Sequence, residues 1–502
     1  MTTALERFRD ALGEADDLNR AAAVLEWDLE TYMPPGGVED RAQHLSTLRK
    51  LAHERSVSDD MRRLLRASEA EVGECAYETD EASLLRVTRR DLELDARLPS
   101  QLVGEIAEVG AANVSRWVAA RQASDWSLFE PCMRQTVEIS RRLTEAIGYE
   151  DRPYDALLAR SEPGMTTRRV EQLFDELKTV IVPLVRDILE RSDRVDDSVL
   201  DRELDMDRQL AVSMDLALLL GFDPERGRRD ISAHPFCIPV GPGDVRFTTR
   251  VRPTARDSCV FSTLHETGHA LYNQGIPRSL ARTPLWDGAS PGVHESQSRL
   301  WENMVGRSRP FWAFAFPLLQ TTFPEQLGDL DAEAYYRGVN RVRPSYIRVD
   351  ADELTYNLHI MLRFEIENEL LEGRLGVEEV PEAWNARLQG YLGLPPPPAA
   401  DGPLQDLHWS MPVLGGFVGY TLGNLIAAQI MDRIRAEMPE LDRQMRAGEF
   451  QPLLGWLREN VYAQGRKFTP DELVERVTGS PIGCGPWVSY ARSKFGELYG
   501  LD

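Results

Sequence analysis

The feature that most constrains this fold is a three-and-four spacing of apolar residues that runs through most of the chain. Ala4–Glu30, Val38–Ala67, Glu81–Ala96, Gln101–Gln122 and Leu128–Ile147 each carry it. Such spacing places apolar side chains on one face of a helix. Pro34-Pro35-Gly36-Gly37 separates the first segment from the second. Thr166–Arg191 is a further amphipathic helix, with Thr167 and Glu171 available to start it. Pro291–Val305, Asp350–Leu371, Pro381–Leu392 and Pro412–Ala436 continue the series, followed by a helical tail. The pattern predicts a mainly α fold. One interruption stands out. Asp230–Val251 alternates Phe236, Ile238, Val240, Val245, Phe247 and Thr249 around Gly241-Pro242-Gly243, which predicts a small β-hairpin or meander. At 502 residues with 42% hydrophobic content, the chain can fill a large core as one domain. Its organisation reads as a helical N-terminal part, about 1–200, and a second part, about 201–502, that carries the chemistry-bearing residues.

Immediately after the β segment comes His265-Glu266-Thr267-Gly268-His269, predicted to be helical over Phe261–Gln274. A helix advances about 100° per residue, so residues four apart share a face. His265 and His269 can therefore meet one metal ion. Glu266 is rotated aside, where it reaches a water on the metal rather than the metal itself. Zinc peptidases use this arrangement to generate a nucleophile. The bland alternative is a helix whose two histidines are satisfied by neighbours. A β-strand beside such a helix can hold an extended peptide by backbone pairing, and is equally compatible with a purely structural hairpin.

Catalytic zinc takes three protein ligands and keeps a fourth position open. A metzincin pattern is excluded, because Tyr272 and Gly275 stand three and six residues after His269. Within Pro291–Val305 the candidates for the third ligand are Glu295, Glu302 and His294. Glu295 is preferred, and Glu302 reads as one half of an ion pair. Glu266 then serves as general base and afterwards as proton donor to the leaving amine. His408 and Tyr420 lie in an uncharged, glycine-rich stretch suited to a cleft wall, where they could stabilise an oxyanion; each also fits a satisfied core position. Arg348 could bind a terminal carboxylate in bidentate fashion. In a chain this rich in arginine it could equally pair with Asp352, four residues on.

The formal net charge of −23 argues against nucleic acid or an anionic membrane surface as partner. Almost all positive charge is arginine, since Lys50, Lys178, Lys467 and Lys494 are the only lysines. The five cysteines (Cys75, Cys132, Cys237, Cys259 and Cys484) are scattered, with no C-x-x-C pair. With the charged start of the chain, they point to a reducing, cytoplasmic setting. Leu407–Met431 has no charged residue and is long enough to span a bilayer. Pro412, Gly415, Gly416, Gly419, Gly423, Asn424 and Gln429 within it favour a buried segment beside the active site.

A series of motifs then appears in order: His234-Pro235-Phe236, Asp244-x-Arg246-x-Thr248, His265-Glu266-x-x-His269, His294-Glu295-Ser296-Gln297, Ile347-Arg348-x-x-Ala351-Asp352, and Gly402-x-x-Gln405-Asp406-x-His408-Trp409. Trp27-Asp28-x-x-Thr31-x-Met33-Pro34 precedes them. In this series the chain resembles the carboxypeptidase Taq family of metallocarboxypeptidases, along essentially its whole length. The resemblance implies a helical, saddle-shaped, neurolysin-like fold with a deep central groove. It implies release of single residues from peptide C-termini with broad specificity, proline disfavoured. It implies one zinc per chain, replaceable by cobalt, on His265, His269 and Glu295, with Glu266 catalytic. It also implies transition-state roles for His408 and Tyr420, substrate-binding roles for Arg348, His234, Arg246 and Gln405, and a homodimer. An endo-acting zinc oligopeptidase shares the same machinery, and a non-catalytic zinc-containing peptide-binding protein would keep only the metal.

Overall fold

The computed structural model describes residues 2–254 and 259–501. The fold is mainly helical, with one three-stranded sheet among the described residues. Two compact units make it up. One comprises Met1–Asp95, Asp196–Val339 and Ala427–Pro481; the other comprises Ala96–Val195, Asn340–Ile426 and Ile482–Asp502. Each therefore draws on residues from both sides of position 200.

In the first unit, helix Ala4–Thr31 opens with a reciprocal cap between Thr3 and Glu6. The predicted Val38–Ala67 helix is two helices, Val38–Ser56 and Asp59–Val72. Ser58 divides them, because its hydroxyl accepts the Met61 N–H at 3.1 Å and starts a new helix. Strand β1 (Gly227–Ile231) runs parallel to β3 (Asp244–Thr249), and β2 (Cys237–Gly241) pairs antiparallel on its other side. The expected hairpin is β2–β3; the sheet is mixed, with order β1-β3-β2. Strand β1 (Gly-Arg-Arg-Asp-Ile) has no apolar alternation, so only its pairing with β3 marks it as a strand. A side chain at Gly227 would lie 2.1 Å from the Val245 carbonyl, so glycine is required for that pairing. Phe247 of β3 is fully buried against Phe222, with ring centroids 5.0 Å apart.

Helix Cys259–Gly275 follows and is buried along most of its length. Thr249 Oγ1 and Ser262 Oγ, 2.8 Å apart, tie it to β3. Helix Pro291–Arg299 packs across it. Ser290 caps that helix by accepting the Val293 N–H at 3.0 Å. The chain continues from it as a π-helix, Leu300–Val305, a form that recurs at functional sites.

In the second unit, Thr166 rather than Thr167 caps helix Thr167–Leu189, its hydroxyl accepting the Arg169 N–H. Thr167 instead donates its backbone N–H and its hydroxyl to Asp155, both at 2.6 Å. The helix predicted from Asp350 begins at Tyr356. Asp352 accepts the N–H groups of Leu354 and Thr355, each at 2.9 Å, and so terminates the loop before the helix. The uncharged stretch is a 3₁₀ turn, Leu407–Ser410, a loop, and most of helix Val418–Glu437. No described helix is long and apolar enough to cross a membrane.

Candidate metal centre and its surroundings

His265 and His269 project from one face of helix Cys259–Gly275, and Glu295 projects toward them from helix Pro291–Arg299. Glu295 Oε2 lies 3.6 Å from His265 Nε2 and 3.4 Å from His269 Nε2. The three candidate ligand atoms fall within 4.8 Å of one another, and no other group of this kind occurs among the described residues. Bonds of about 2.0–2.2 Å to a tetrahedral cation place neighbouring ligand atoms about 3.3–3.6 Å apart. The observed separations match that geometry, and the donors are those of catalytic zinc sites.

Gly268 allows this convergence. A Cβ there would stand 2.6 Å from the Gln297 carbonyl oxygen and 2.7 Å from Ser298 Cα. The two ligand-bearing helices touch backbone to backbone at this residue.

Glu302 and His294 stand behind the two histidines. His265 Nδ1 lies 2.8 Å from Glu302 Oε2, which orients the imidazole with Nε2 toward the cluster. Arg299 Nη1 and Arg307 Nη2 reach Glu302 at 3.2 and 3.5 Å. His269 Nδ1 lies 2.5 Å from His294 Nδ1, and His294 Nε2 lies 3.0 Å from Asn273 Oδ1. The assignment that satisfies both contacts has His269 donating to His294 and His294 donating to Asn273. Burial and the neighbouring His269 hold His294 well below the usual histidine range, which keeps it neutral.

The electrostatics favour positive charge. Burial disfavours a charge on His265, yet Glu295 and Glu302 prevail and raise it to about 9. Burial also opposes ionisation of Glu295, but Arg299, His265 and His269 keep it well below the carboxylate range. Arg299 Nε donates to Glu295 Oε1 at 2.7 Å and Ser298 Oγ donates to Oε2 at 3.0 Å. Glu266 is 5% exposed, and its Oε2 has no hydrogen-bond partner among the described protein atoms. Burial raises its carboxyl, with His265 and His269 opposing. A buried carboxylate oxygen left open beside a cluster of cation ligands fits a proton acceptor for a molecule not supplied by the protein.

Arg246 lies on β3 of the sheet in the same unit, and His234 on the loop that leads into β2. His234 is exposed in the β1–β2 connection. Arg246 Nε and Nη2 donate to Asp244 Oδ1 and Oδ2 at 2.8 and 2.6 Å, and the guanidinium lies 5.7 Å from the Trp27 ring centroid.

The second unit gathers the other sequence candidates around Asp406. Arg348 is 6% exposed, and its carboxylate partner is Asp406 rather than Asp352. Its Nη2 donates to Asp406 Oδ1 at 2.7 Å and its Nη1 to Tyr356 Oη at 2.8 Å. Arg363 Nε donates to Asp406 Oδ2 at 2.8 Å. Two guanidinium groups thus share one carboxylate, leaving a positive excess. Gln405 accepts the Arg348 N–H at 2.7 Å and donates to the carbonyls of Tyr346 and Asp401. His408 Nε2 lies 3.2 Å from Tyr420 Oη, and its ring stacks 4.4 Å from Phe417. Burial lowers His408 to about 4, with Arg348 and Arg363 adding to the effect and Asp406 opposing it. Its imidazole is therefore neutral at pH 7.

Sequence reasoning missed Arg299, Arg363 and the Asn273 end of the His294 contact. Arg299 was open to detection, since it follows Glu295 by one helical turn. Arg363 was not, because its partner Asp406 lies 43 residues away.

The family described as carboxypeptidase Taq (M32) metallopeptidase matches residues 7–495. The chain is 40% identical over 487 residues to thermostable carboxypeptidase 1 of Thermus thermophilus, covering 95% of each. It is 35% identical over 494 residues to carboxypeptidase 1 of Bacillus subtilis, covering 98% of each. The crystal structure of the M32 carboxypeptidase from Deinococcus radiodurans R1 superposes with a TM-score of 0.96 at 42% identity, over 99% of this chain and 100% of that one. A match of this extent, together with the ligand geometry, places the chain in the carboxypeptidase Taq (M32) metallopeptidase family, as a metallocarboxypeptidase that hydrolyses peptides.

Proposed function

We propose that this metallocarboxypeptidase releases single amino acids from the C-termini of peptides with broad specificity, using one zinc ion held by His265, His269 and Glu295. The observation that carries the reading is the clustering of those three ligand atoms within 4.8 Å, with Glu266 Oε2 open and buried beside them. A divalent cation held by these three residues would supply a lowered water pKa and a polarised carbonyl. Glu266 takes up the proton at Oε2 and returns it to the leaving amine. Glu302 and His294 hold the two imidazoles in their donor orientation. Neutral His408 and Tyr420 donate hydrogen bonds to the substrate without bringing charge.

Arg348 has five N–H donors. Asp406 and Tyr356 occupy its Nε and one hydrogen on each terminal nitrogen, so two remain for a substrate carboxylate. The shared Asp406 leaves that cluster positive, which favours an anion. Gln405 orients the Arg348 backbone, while Arg246 from the sheet and His234 from the β1–β2 connection contact substrate. The five free cysteines accord with a cytoplasmic setting, and homodimerisation follows the family resemblance.

A defined decapeptide, incubated with the metal-loaded protein and followed by mass spectrometry, tests the reading. A ladder shortened one residue at a time from the C-terminus is expected. Internal fragments would establish an endopeptidase instead, and an unchanged peptide would leave only a binding protein. Glu266→Gln should retain the metal and lose at least about 100-fold in kcat; wild-type turnover in that variant would remove Glu266 as the base.

A further inference from the structure

Glu367 has no part in the chemistry proposed above, yet it is a buried carboxylate, 1% exposed, on helix Tyr356–Leu371 of the second unit. Three donors converge on it. Tyr154 Oη donates to Oε2 at 2.8 Å, Trp409 Nε1 donates to Oε1 at 3.0 Å, and the Gly415 backbone N–H donates to Oε2 at 3.1 Å. Tyr154 belongs to helix Pro153–Ser161. Trp409 follows His408 directly, and Gly415 opens the approach to the helix that carries Tyr420. One side chain therefore ties both ends of the segment that bears His408.

We propose that Glu367 is a positioning residue that fixes the 408–416 segment, and with it the His408–Tyr420 pair; the proposal rests on the reading of His408 as a donor to substrate. Between Met411 and Phe417 the segment has no helix or strand of its own, so its geometry depends on bonds to its surroundings. Those bonds come from side chains. Thr136 Oγ1 donates to the Trp409 carbonyl at 3.3 Å, and Ser140 Oγ accepts the Leu414 N–H at 3.0 Å. Gly415 adopts φ +103°, where a side chain is strained, and a Cβ would press on Leu157 at 3.1 Å. The segment ends at Phe417, whose ring lies 4.4 Å from the His408 ring. Displacement of the loop therefore reaches the imidazole directly.

The chemistry of Glu367 suits the task. An ionised carboxylate accepts from all three donors at once, whereas an amide would turn N–H groups toward N–H and O–H donors. Burial pushes its carboxyl up to about 7, while the bonds from Tyr154, Trp409 and Gly415, and the nearby Arg363, hold it down. A carboxylate is costly at such a place unless its bonds are used.

The test measures kcat and KM for Glu367→Gln, Tyr154→Phe and Trp409→Phe in the metal-loaded full chain, each alone and combined with His408→Ala. Hydrogen exchange over 407–417 is followed in parallel. For Glu367→Gln we expect unchanged metal content, a kcat lower by about 10- to 100-fold, a KM within about threefold of wild type, and faster exchange over 407–417. The two single-donor variants should show smaller effects of the same kind, and they keep the test open should Glu367→Gln not fold. In the His408→Ala background the Glu367 effect on kcat should largely vanish, because both changes act through one imidazole. Full additivity with His408→Ala, or unaltered exchange over 407–417, would overturn the proposal. If His408→Ala itself leaves kcat unchanged, the donor role of His408 fails instead, and the exchange data alone decide whether Glu367 holds the segment.

Discussion

Replacing Gly268 by alanine adds one methyl group at the point where the two ligand-bearing helices touch. The new Cβ would lie 2.6 Å from Gln297 O and 2.7 Å from Ser298 Cα. Ordinary contact needs about 3.5 Å, so the deficit is about 0.9 Å. Both opposing atoms are backbone, and no side chain can swing away to relieve the clash. The helices must part. His269 is the next residue on one helix, and Glu295 lies two residues before Gln297 on the other. The separation therefore adds to the 3.4 and 3.6 Å distances between ligand atoms. A metal site tolerates about 0.2 Å in its bond lengths. Weakening the outer support of a ligand costs about 10- to 100-fold in affinity. Moving the ligand itself should reach the upper end, a Kd about 100-fold weaker, or about 2.7 kcal/mol. Competition with a chromogenic zinc chelator measures the Kd. Thermal unfolding of the metal-free protein should also show a cost of about 1–3 kcal/mol for overpacking. A Gly268→Ala protein with wild-type zinc affinity and an unaltered metal-free Tm would refute the claim that this contact sets the ligand spacing.

Three further outcomes are expected. Glu302→Gln leaves the His265 imidazole with a neutral partner, and metal retention after dialysis against chelator should fall by about 10- to 100-fold in affinity; undiminished retention would show that Glu302 does not support the site. Arg348→Ala should raise KM by at least about tenfold for peptides with a free C-terminal carboxylate and much less for amidated ones; equal losses on both would remove the carboxylate role. Glu367 should make stability depend on pH. Its carboxyl stands at about 7 in the folded chain against 4.5 as its ordinary value. The folded state thus binds more protons at this group than the unfolded state between those values, so the Glu367 contribution to stability is fullest below pH 4.5 and is lost as pH rises through 7. The difference approaches about 3 kcal/mol. Denaturation midpoints at pH 5 and pH 8 should converge in Glu367→Gln, and a wild-type protein whose midpoint rises over that window relative to the variant would reverse the sign.

What was legible beforehand follows the range of the forces involved. Helical periodicity and the His265–His269 spacing are local, because a backbone that advances by a constant angle decides which side chains share a face. The helical class, the β2–β3 hairpin and the two imidazoles on one helix were therefore open to reading in the chain alone. The break at Ser58 escaped because a serine cap competes with an apolar repeat that runs on through it. Strand β1 escaped because Gly-Arg-Arg-Asp-Ile carries no alternation, and only the edge of β3 made it a strand.

The candidate site divides in the same way. Residue order offered Glu295, Glu302 and His294 for one position, with Glu295 preferred. Their separation into a carboxylate within 3.6 Å of both imidazoles and two groups behind them depends on how helix Pro291–Arg299 lies across Gly268. Arg348 stood four residues from Asp352, yet it pairs with Asp406, and Asp352 caps the loop before a helix. By itself the sequence determined the mainly helical class and that His265 and His269 share one helix face, because those depend on periods of a few residues. Only the tertiary structure decided that Glu295 lies within 3.6 Å of both imidazoles, that Arg348 and Arg363 share Asp406, and that Glu367 accepts bonds from Tyr154, Trp409 and Gly415. Each of those contacts joins residues whose separation along the chain says nothing about their distance in space.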